Sequence, residues 1–397
     1  MRMSDLLLED KKKRLTERTL GGFPVTKSYG AIPDAQEDDV DEALKIGDAK
    51  TKTIPTDVMQ GRLNRIHDRN KTLTDKKKPI IHRSNLVATM SDDPNDRWDL
   101  NDLAQKIMTR PRQLISSNAK MKSSIIPGKE KLFDITLPAL SGIVVDEQSY
   151  EFVEVNTCPA AGVCQKYCFA RKGGYVQFPP SSMNAARTLN FLVNDPEGYF
   201  DRIARDLASL GVGRVTKKLQ IIVRWHDSGD FFSMDYFQRA VDLANKFPNI
   251  EFYAYTKSAN VATNADTPDN FIINFSDGAA NKSTAMVQKH IEAGNHIKHA
   301  RVIPKDVFDD LVLKDQEGKL VKDNLKRTQL RSPAAWDMLK QRLAKRFNVD
   351  VDTIISYDEM LQIPKGTEPK WRVIVQTGAG DRAANRRDVI DSYLLIH

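Results

Sequence analysis

The chain has 397 residues, with 60 Lys and Arg against 53 Asp and Glu, a net charge of +7 and three Cys. Apolar residues make up 40% and charged residues 28%, which allows a sizeable core and excludes bulk disorder. No apolar run approaches the ~18 residues of a transmembrane helix, so no membrane partner is expected.

The first residues, MRMSDLLLEDKKKR, hold no signal-peptide apolar core. The three cysteines lie within eleven residues of one another. That disfavours a secreted disulfide framework and favours a metal or redox site in a reducing cytoplasm. Charge is uneven: residues 51–130 carry sixteen basic and nine acidic side chains, about the whole net charge. Such a stretch is either a solvated face or a surface that meets phosphates.

Residues 1–55 read as a loosely ordered arm, with GGFPVTKSYGAIPDAQ and the acidic run EDDVDEA. Residues 56–149 read as a basic extension of helices and strands. Helical spacing appears in DVMQGRLNRIHDR (Val58, Leu63, Ile66) and DLNDLAQKIMTR (Leu100, Leu103, Ile107, Met108). Two short strands are expected in LFDITLPALSGIVV (132–145).

From residue 150 strands alternate with helices. YEFVEVN (150–156) is read as a strand, followed by the cysteine loop and helices over 184–193 and 196–210. LQIIVRW (219–225) is a strand and 234–247 a helix capped by Ser233. Strands EFYAYTK (251–257) and FIINFS (271–276), a helix over 283–294 closed by Gly294 and a strand ARVIP (300–304) follow. A helix over 333–347, a strand WRVIVQT (371–377) and a last helix around DRAANRRDVIDSYLLIH complete the chain. The expected class is α/β, a partial βα barrel or an open, mainly parallel sheet over 150–397, with an N-terminal mixed α/β extension.

Cys158, Cys164 and Cys168 form a C-x5-C-x3-C loop. Thiolates bind soft or borderline metals, and a short loop lets three converge. Three suit a [4Fe–4S] cluster with one iron free of protein ligands. The alternatives weighed against the cluster are a structural zinc site completed by His226 or a distant His, and simply buried thiols.

The strand 219–225 leads into Arg224-Trp225-His226-Asp227-Ser228-Gly229-Asp230. His226 and Asp227 suit acid–base work, Asp230 suits an ammonium group, and Gly229 frees the backbone for a tight turn. The plainer reading has Ser228 or Asp230 capping the next helix and His226 packed. Lys257 and Ser258 end the next strand, with Lys257 placed to meet an anion, and Asp277 ends another. If all these strand ends share one edge with the cysteine loop, they form the rim of an active site. Gly378-Ala379-Gly380 lacks phosphate-loop spacing, and no G-x-S-x-G occurs.

These strings resemble a known family. TCPAAGVCQKYCFARKG, RWHDSGDFFSMDYF and FPNIEFYAYTKS look like the phage-encoded gene product 88 family. Its pattern is a cysteine loop ending in Cys-aromatic-Ala (Cys168-Phe169-Ala170), a His-x-Ser-Gly-Asp-Phe stretch (His226 to Phe231) and a Tyr-Thr-Lys-Ser strand end (Tyr255 to Ser258). The likeness covers about residues 150–280 and implies relatives rather than a reaction. A more distant likeness is to radical S-adenosylmethionine enzymes. It implies a cluster on Cys158, Cys164 and Cys168, Gly229-Asp230 holding the cofactor's amino group, and Lys257 or Arg224 facing its carboxylate. The spacing departs from that family's C-x3-C-x2-C.

Two functions are therefore expected to compete. One is a phage-encoded iron–sulfur enzyme with radical-type chemistry on a nucleotide or nucleic acid. The other is a zinc-stabilised protein without catalysis that binds nucleic acid or a host protein.

Overall fold

The computed structural model describes residues 49–78, 80, 86–87, 90, 97–117, 128–171, 174–212, 219–264, 266–324, 327–376 and 381–395. Most of the expected N-terminal arm (1–48) and the Gly378–Gly380 turn lie outside the described residues. The first half of the chain forms β1 (Thr51–Ile54), α1 (Thr56–Asp75), α2 (Leu100–Met108), β2 (Glu130–Ile135), β3 (Ser141–Val145) and β4 (Phe152–Asn156). Next come α3 (Gly174–Gln177), α4 (Pro179–Asn194), α5 (Pro196–Val212), β5 (Gln220–Trp225), α6 (Met234–Lys246), β6 (Glu251–Thr256), α7 (Ala259–Ala262) and β7 (Phe271–Ser276). The chain closes with α8 (Asn281–Glu292), β8 (His299–Val302), α9 (Lys305–Phe308), α10 (Pro333–Phe347), β9 (Ile354–Ser356), α11 (Tyr357–Gln362), β10 (Trp371–Val375), α12 (Asp381–Ala384) and β11 (Val389–Leu394). No helix among the described residues is long and apolar enough to cross a membrane.

The chain divides into two interleaved units. The first comprises Met1–Ile115, Ile135–Gly213 and His226–Leu243; the second comprises Ser116–Asp134, Arg214–Trp225 and Ala244–His397. Residues 56–149 and 150–397 both run through the two units.

The first unit is built on a three-stranded sheet of order β1-β4-β3, antiparallel throughout. Leu100, Leu103, Ala104 and Ile107 give α2 one apolar face, and the Asp99 capping box starts it. That face packs with Met59, Leu63 and Ile66 of α1, Ile143 and Val145 of β3 and Ala186 of α4. Gly142 admits α4 closely: a Cβ there would stand 2.3 Å from Leu189 Cδ2 and 2.7 Å from Pro138 Cγ. Within the sheet, buried Glu154 accepts from Ser141 Oγ (2.9 Å) and pairs with Arg62 (3.0 Å).

The second unit is an open eight-stranded sheet of order β2-β5-β6-β7-β8-β11-β10-β9. Pairing is parallel from β5 through to β9. The open, mainly parallel α/β sheet is thus the architecture, without barrel closure. Its strands β5 to β7 are short, largely apolar runs, the pattern of parallel strands covered on both faces. On α10, Ala335, Leu339 and Leu343 pack with Ile354, Ile374 and Tyr393 of the sheet.

Two expectations change. YEFVEVN is a strand, but it is the centre of the antiparallel sheet and not a member of the parallel one. The expected last helix is mostly strand: only Asp381–Ala384 is helical, and Val389–Leu394 inserts between β8 and β10. Val389 and Tyr393 are fully buried there, and β-sheet pairing on both sides outweighs local helical preference.

Candidate functional site

The cysteine loop and the His226–Asp230 turn both belong to the first unit, and one segment, Ile135–Gly142, holds both. The amides of His226 and Asp227 donate to Ile135 O (3.0 and 3.3 Å), and Leu137 N–H donates to Ser228 O (3.1 Å). Ser228 Oγ donates in turn to Leu137 O. Thr157, which precedes Cys158, donates its amide to Leu140 O (3.0 Å) and its hydroxyl to Pro138 O (2.6 Å). Thr157 O then accepts the Asp230 amide at 2.9 Å, which joins the two motifs directly.

The turn is conformationally unusual. His226 has φ +63° and Gly229 φ +87°, both left-handed. Gly229 is required twice over: the backbone favours glycine, and a Cβ would lie 2.7 Å from Leu137 Cβ. A non-glycine residue in this region, such as His226, is held there by its surroundings, a feature that concentrates at functional sites.

Each cysteine opens a tight turn, its carbonyl accepting an amide three residues on: Ala161 to Cys158 (3.0 Å), Tyr167 to Cys164 (3.2 Å) and Arg171 to Cys168 (3.2 Å). All three cysteines are half-buried and none is in a disulfide. Burial pushes the Cys158 thiol well above the usual thiol range, and the Asp230 carboxylate, Cys168 and Cys164 push the same way against a Leu140 backbone hydrogen bond. Cys158 therefore senses Asp230, Cys168 and Cys164. Among the described residues, no three His, Cys, Asp or Glu side chains stand close enough together to hold a metal ion as they are.

Asp227 is 5% exposed and accepts a 2.5 Å hydrogen bond from Tyr175 Oη on α3, tying the far end of the cysteine loop back to the turn. Asp230 is 4% exposed, and its Oδ1 accepts the Phe231 amide at 2.7 Å. His226 is 2% exposed, with its ring edge-on to Phe231 (4.5 Å) and Nε2 2.8 Å from Tyr236 Oη. Burial pushes up the hydroxyls of both Tyr236 and its neighbour Tyr199. His226 is thus packed in an aromatic cluster. The helix cap is Ser233, whose Oγ accepts the Tyr236 amide at 3.1 Å. Ser228 does not cap the helix.

Thr157, Tyr175 and Tyr236 escaped the sequence reading. Thr157 and Tyr175 flank the cysteine loop, and Tyr236 stands on the apolar face of the helix after the turn, which are the only signals the sequence offers for them.

The other predicted residues belong to the second unit. Arg224 lies over the Tyr255 ring at 5.1 Å. Lys257 Nζ donates to Ser276 Oγ at 3.1 Å, joining the ends of β6 and β7. Ser258 caps α7. Asp277 Oδ1 lies 2.9 Å from His299 Nε2, and its Oδ2 accepts the Val302 amide at 2.8 Å. Burial opposes ionisation of Asp277, but the His299 hydrogen bond and charge, the Val302 amide and Arg301 outweigh it, so the carboxyl is held below its usual range. The parallel strands do place Lys257, Ser258 and Asp277 at one edge. The cysteine loop follows β4 of the antiparallel sheet, so it does not follow the first strand of a βα barrel. A separate cavity of about 300 Å³ over Leu132, Ile222 and Tyr253 contains none of the predicted residues.

No curated protein and no solved structure shows a significant match to the chain. A family model described as Gene product 88 matches residues 112–352, a span that contains the cysteine loop, the His226–Asp230 turn and the Lys257 strand end. The chain belongs to the Gene product 88 family, the phage gene-product family that its motifs resemble.

Proposed function

We propose that Cys158, Cys164 and Cys168 hold a metal centre, and that this centre and the adjoining turn form the active site of an iron–sulfur enzyme. Its substrate is a nucleotide or nucleic acid in the host cytoplasm. The observation that carries this reading is the coupling of Cys158 to Asp230, Cys168 and Cys164 in a loop tied to the turn through Thr157. Acids that crowd one another resist ionisation, and a bound cation removes that penalty and keeps thiols deprotonated. The donor set fits. Three thiolates suit a cluster with one open iron, reached by drawing the turn-borne cysteines together. When bound, such a cluster supplies one-electron chemistry to a co-substrate such as S-adenosylmethionine.

The chain's own residues then have defined tasks. Asp230 offers a carboxylate to an ammonium group beside Cys158. Tyr175 and Asp227 hold a proton between Tyr175 Oη and Asp227 Oδ2 at the turn. His226 positions the turn through Tyr236 rather than meeting substrate. The assignment of Arg224 and Lys257 to the cofactor carboxylate rests on the likeness to radical S-adenosylmethionine enzymes alone; both belong to the second unit and are not carried into this site. The local bonds of Ser258 and Asp277 support structural roles for those two.

A second reading is favoured by Ser228, whose hydroxyl is used up on the Leu137 carbonyl as scaffolding would require. In it the three cysteines hold zinc, and the protein binds nucleic acid or a host protein without catalysis. His226 as fourth zinc ligand is disfavoured by its hydrogen bond to Tyr236.

Metal and sulfide analysis of protein purified without oxygen tests both. About four irons with acid-labile sulfide, lost in Cys164→Ala, and cleavage of S-adenosylmethionine support the enzyme. About one zinc and no sulfide supports the second reading. Absence of any bound metal refutes both.

A further inference from the structure

The described residues contain just two exposed aromatic side chains, Tyr167 at 67% and Phe178 at 61%. Both lie on the cysteine segment, and Val163, 55% exposed, lies between Cys158 and Cys164 on the same segment. Aromatic rings left in water are costly unless something covers them. Neither ring is on a loose backbone. The Tyr167 amide donates to Cys164 O at 3.2 Å, and Phe178 O accepts the amides of Ser181 and Ser182 at 3.0 and 3.2 Å. The rings are therefore presented on fixed turns, Tyr167 after one 3-10 turn and Phe178 at the start of α4.

The segment's own charges have one sign. From Cys158 to Asn194 the sequence holds Lys166, Arg171, Lys172 and Arg187 and no acidic residue. Lys166 and Arg171 are exposed. Exposed rings interspersed with basic side chains match the chemistry of single-stranded nucleic acid, in which bases stack on rings while cations follow the backbone; the carboxylates that meet this segment, Asp227 and Asp230, are buried. A protein partner of acidic and apolar character would use the cations but has no bases to stack on the ring faces.

We propose that Tyr167 and Phe178, with Lys166 and Arg171, form a stacking platform for single-stranded nucleic acid on the cysteine segment. The inference rests on the nucleic-acid part of the reading above, and names the surface that receives the strand. It does not depend on which metal the cysteines hold.

Fluorescence anisotropy on the full chain tests it, with fluorescein-labelled oligo(dT) and oligo(U) of roughly 15 nucleotides at about 50 and 200 mM salt. The expected result is binding that weakens steeply with salt. Tyr167→Ala and Phe178→Ala should each weaken it by roughly 5- to 150-fold. Tyr167→Phe and Phe178→Tyr, which keep the rings, should bind as the parent does. Lys166→Glu with Arg171→Glu should weaken binding and flatten its salt dependence. Circular dichroism and metal content on the same samples report whether fold and centre survive. Parent-like binding by both alanine variants overturns the platform while leaving a nucleic-acid substrate in place. Equal losses in the ring-keeping variants also overturn it, because stacking would not then be the cause. No binding by the metal-loaded parent overturns both the platform and the nucleic-acid substrate, and leaves the metal centre standing.

Discussion

Gly229→Ala tests whether the turn beside the cysteine loop is held as described. Two costs are expected. The backbone stands at φ +87°, where an alanine loses about 1–2 kcal/mol. The new Cβ would meet Leu137 Cβ at 2.7 Å and Pro138 O at 3.3 Å. Neither atom is the end of a flexible side chain, so the Leu137–Pro138 backbone must move. That strains the Leu137–Ser228 bond and the Thr157 contacts with it, an overpacking cost of about 1–3 kcal/mol. The total is about 2–5 kcal/mol.

Gly294→Ala is the control: φ is again +87°, but nothing lies within 4 Å of the added Cβ, so only the backbone cost applies. The assay is urea unfolding followed by tryptophan fluorescence and circular dichroism. Each variant is compared with the parent in its own unit's transition if the two units unfold separately. Amide exchange at Asp230 should also accelerate in Gly229→Ala, because its partner Thr157 O shifts. A loss in Gly229→Ala no greater than in Gly294→Ala would refute the close approach of the two segments.

The remaining expectations concern single contacts. Tyr175→Phe removes the hydroxyl that Asp227 accepts and should cost about 1–2 kcal/mol and expose the 158–178 segment to protease; unchanged cleavage would mean the bond does not hold the loop. In metal-free protein Cys158 should alkylate more slowly than a simple thiol near neutral pH, and Asp230→Asn should speed it, since removing the carboxylate lowers the thiol's pKa and raises its thiolate fraction. A rate unaffected by Asp230→Asn would show that the carboxylate does not reach the sulfur. Asp277, held below its usual range, should add stability that is full above the unfolded carboxyl's pKa and lost as pH falls through the lower folded value. Asp277→Asn should therefore flatten the acid limb of a stability–pH profile, and an identical limb in parent and variant would remove the His299–Asp277 pair as its cause.

Much of the sheet was legible because its physics is local. LQIIVRW, EFYAYTK and FIINFS are apolar runs too short for helices, and parallel strands covered on both faces produce such runs. The α10 boundaries were legible from Ser332-Pro333 at its start and the apolar spacing of Ala335, Leu339 and Leu343. VIDSYL was not legible, because six residues give helix and strand periods little room to differ, and its neighbours β8 and β10 come from other parts of the chain.

The candidate site divides along the same line. The sequence by itself displayed three close cysteines, the His226–Asp230 string and the family they belong to, since motif spacing is a property of the chain. Only tertiary structure decided that β4 pairs antiparallel with β1 and β3, because strand partners are chosen by long-range packing and not by the strand's own residues. It alone decided that Ile135–Gly142 carries both motifs, that His226 is buried against Tyr236, and that Thr157 O bonds the Asp230 amide across 73 residues of chain. Those are backbone contacts and burial, which any side chain sequence is silent about until the chain has folded around them.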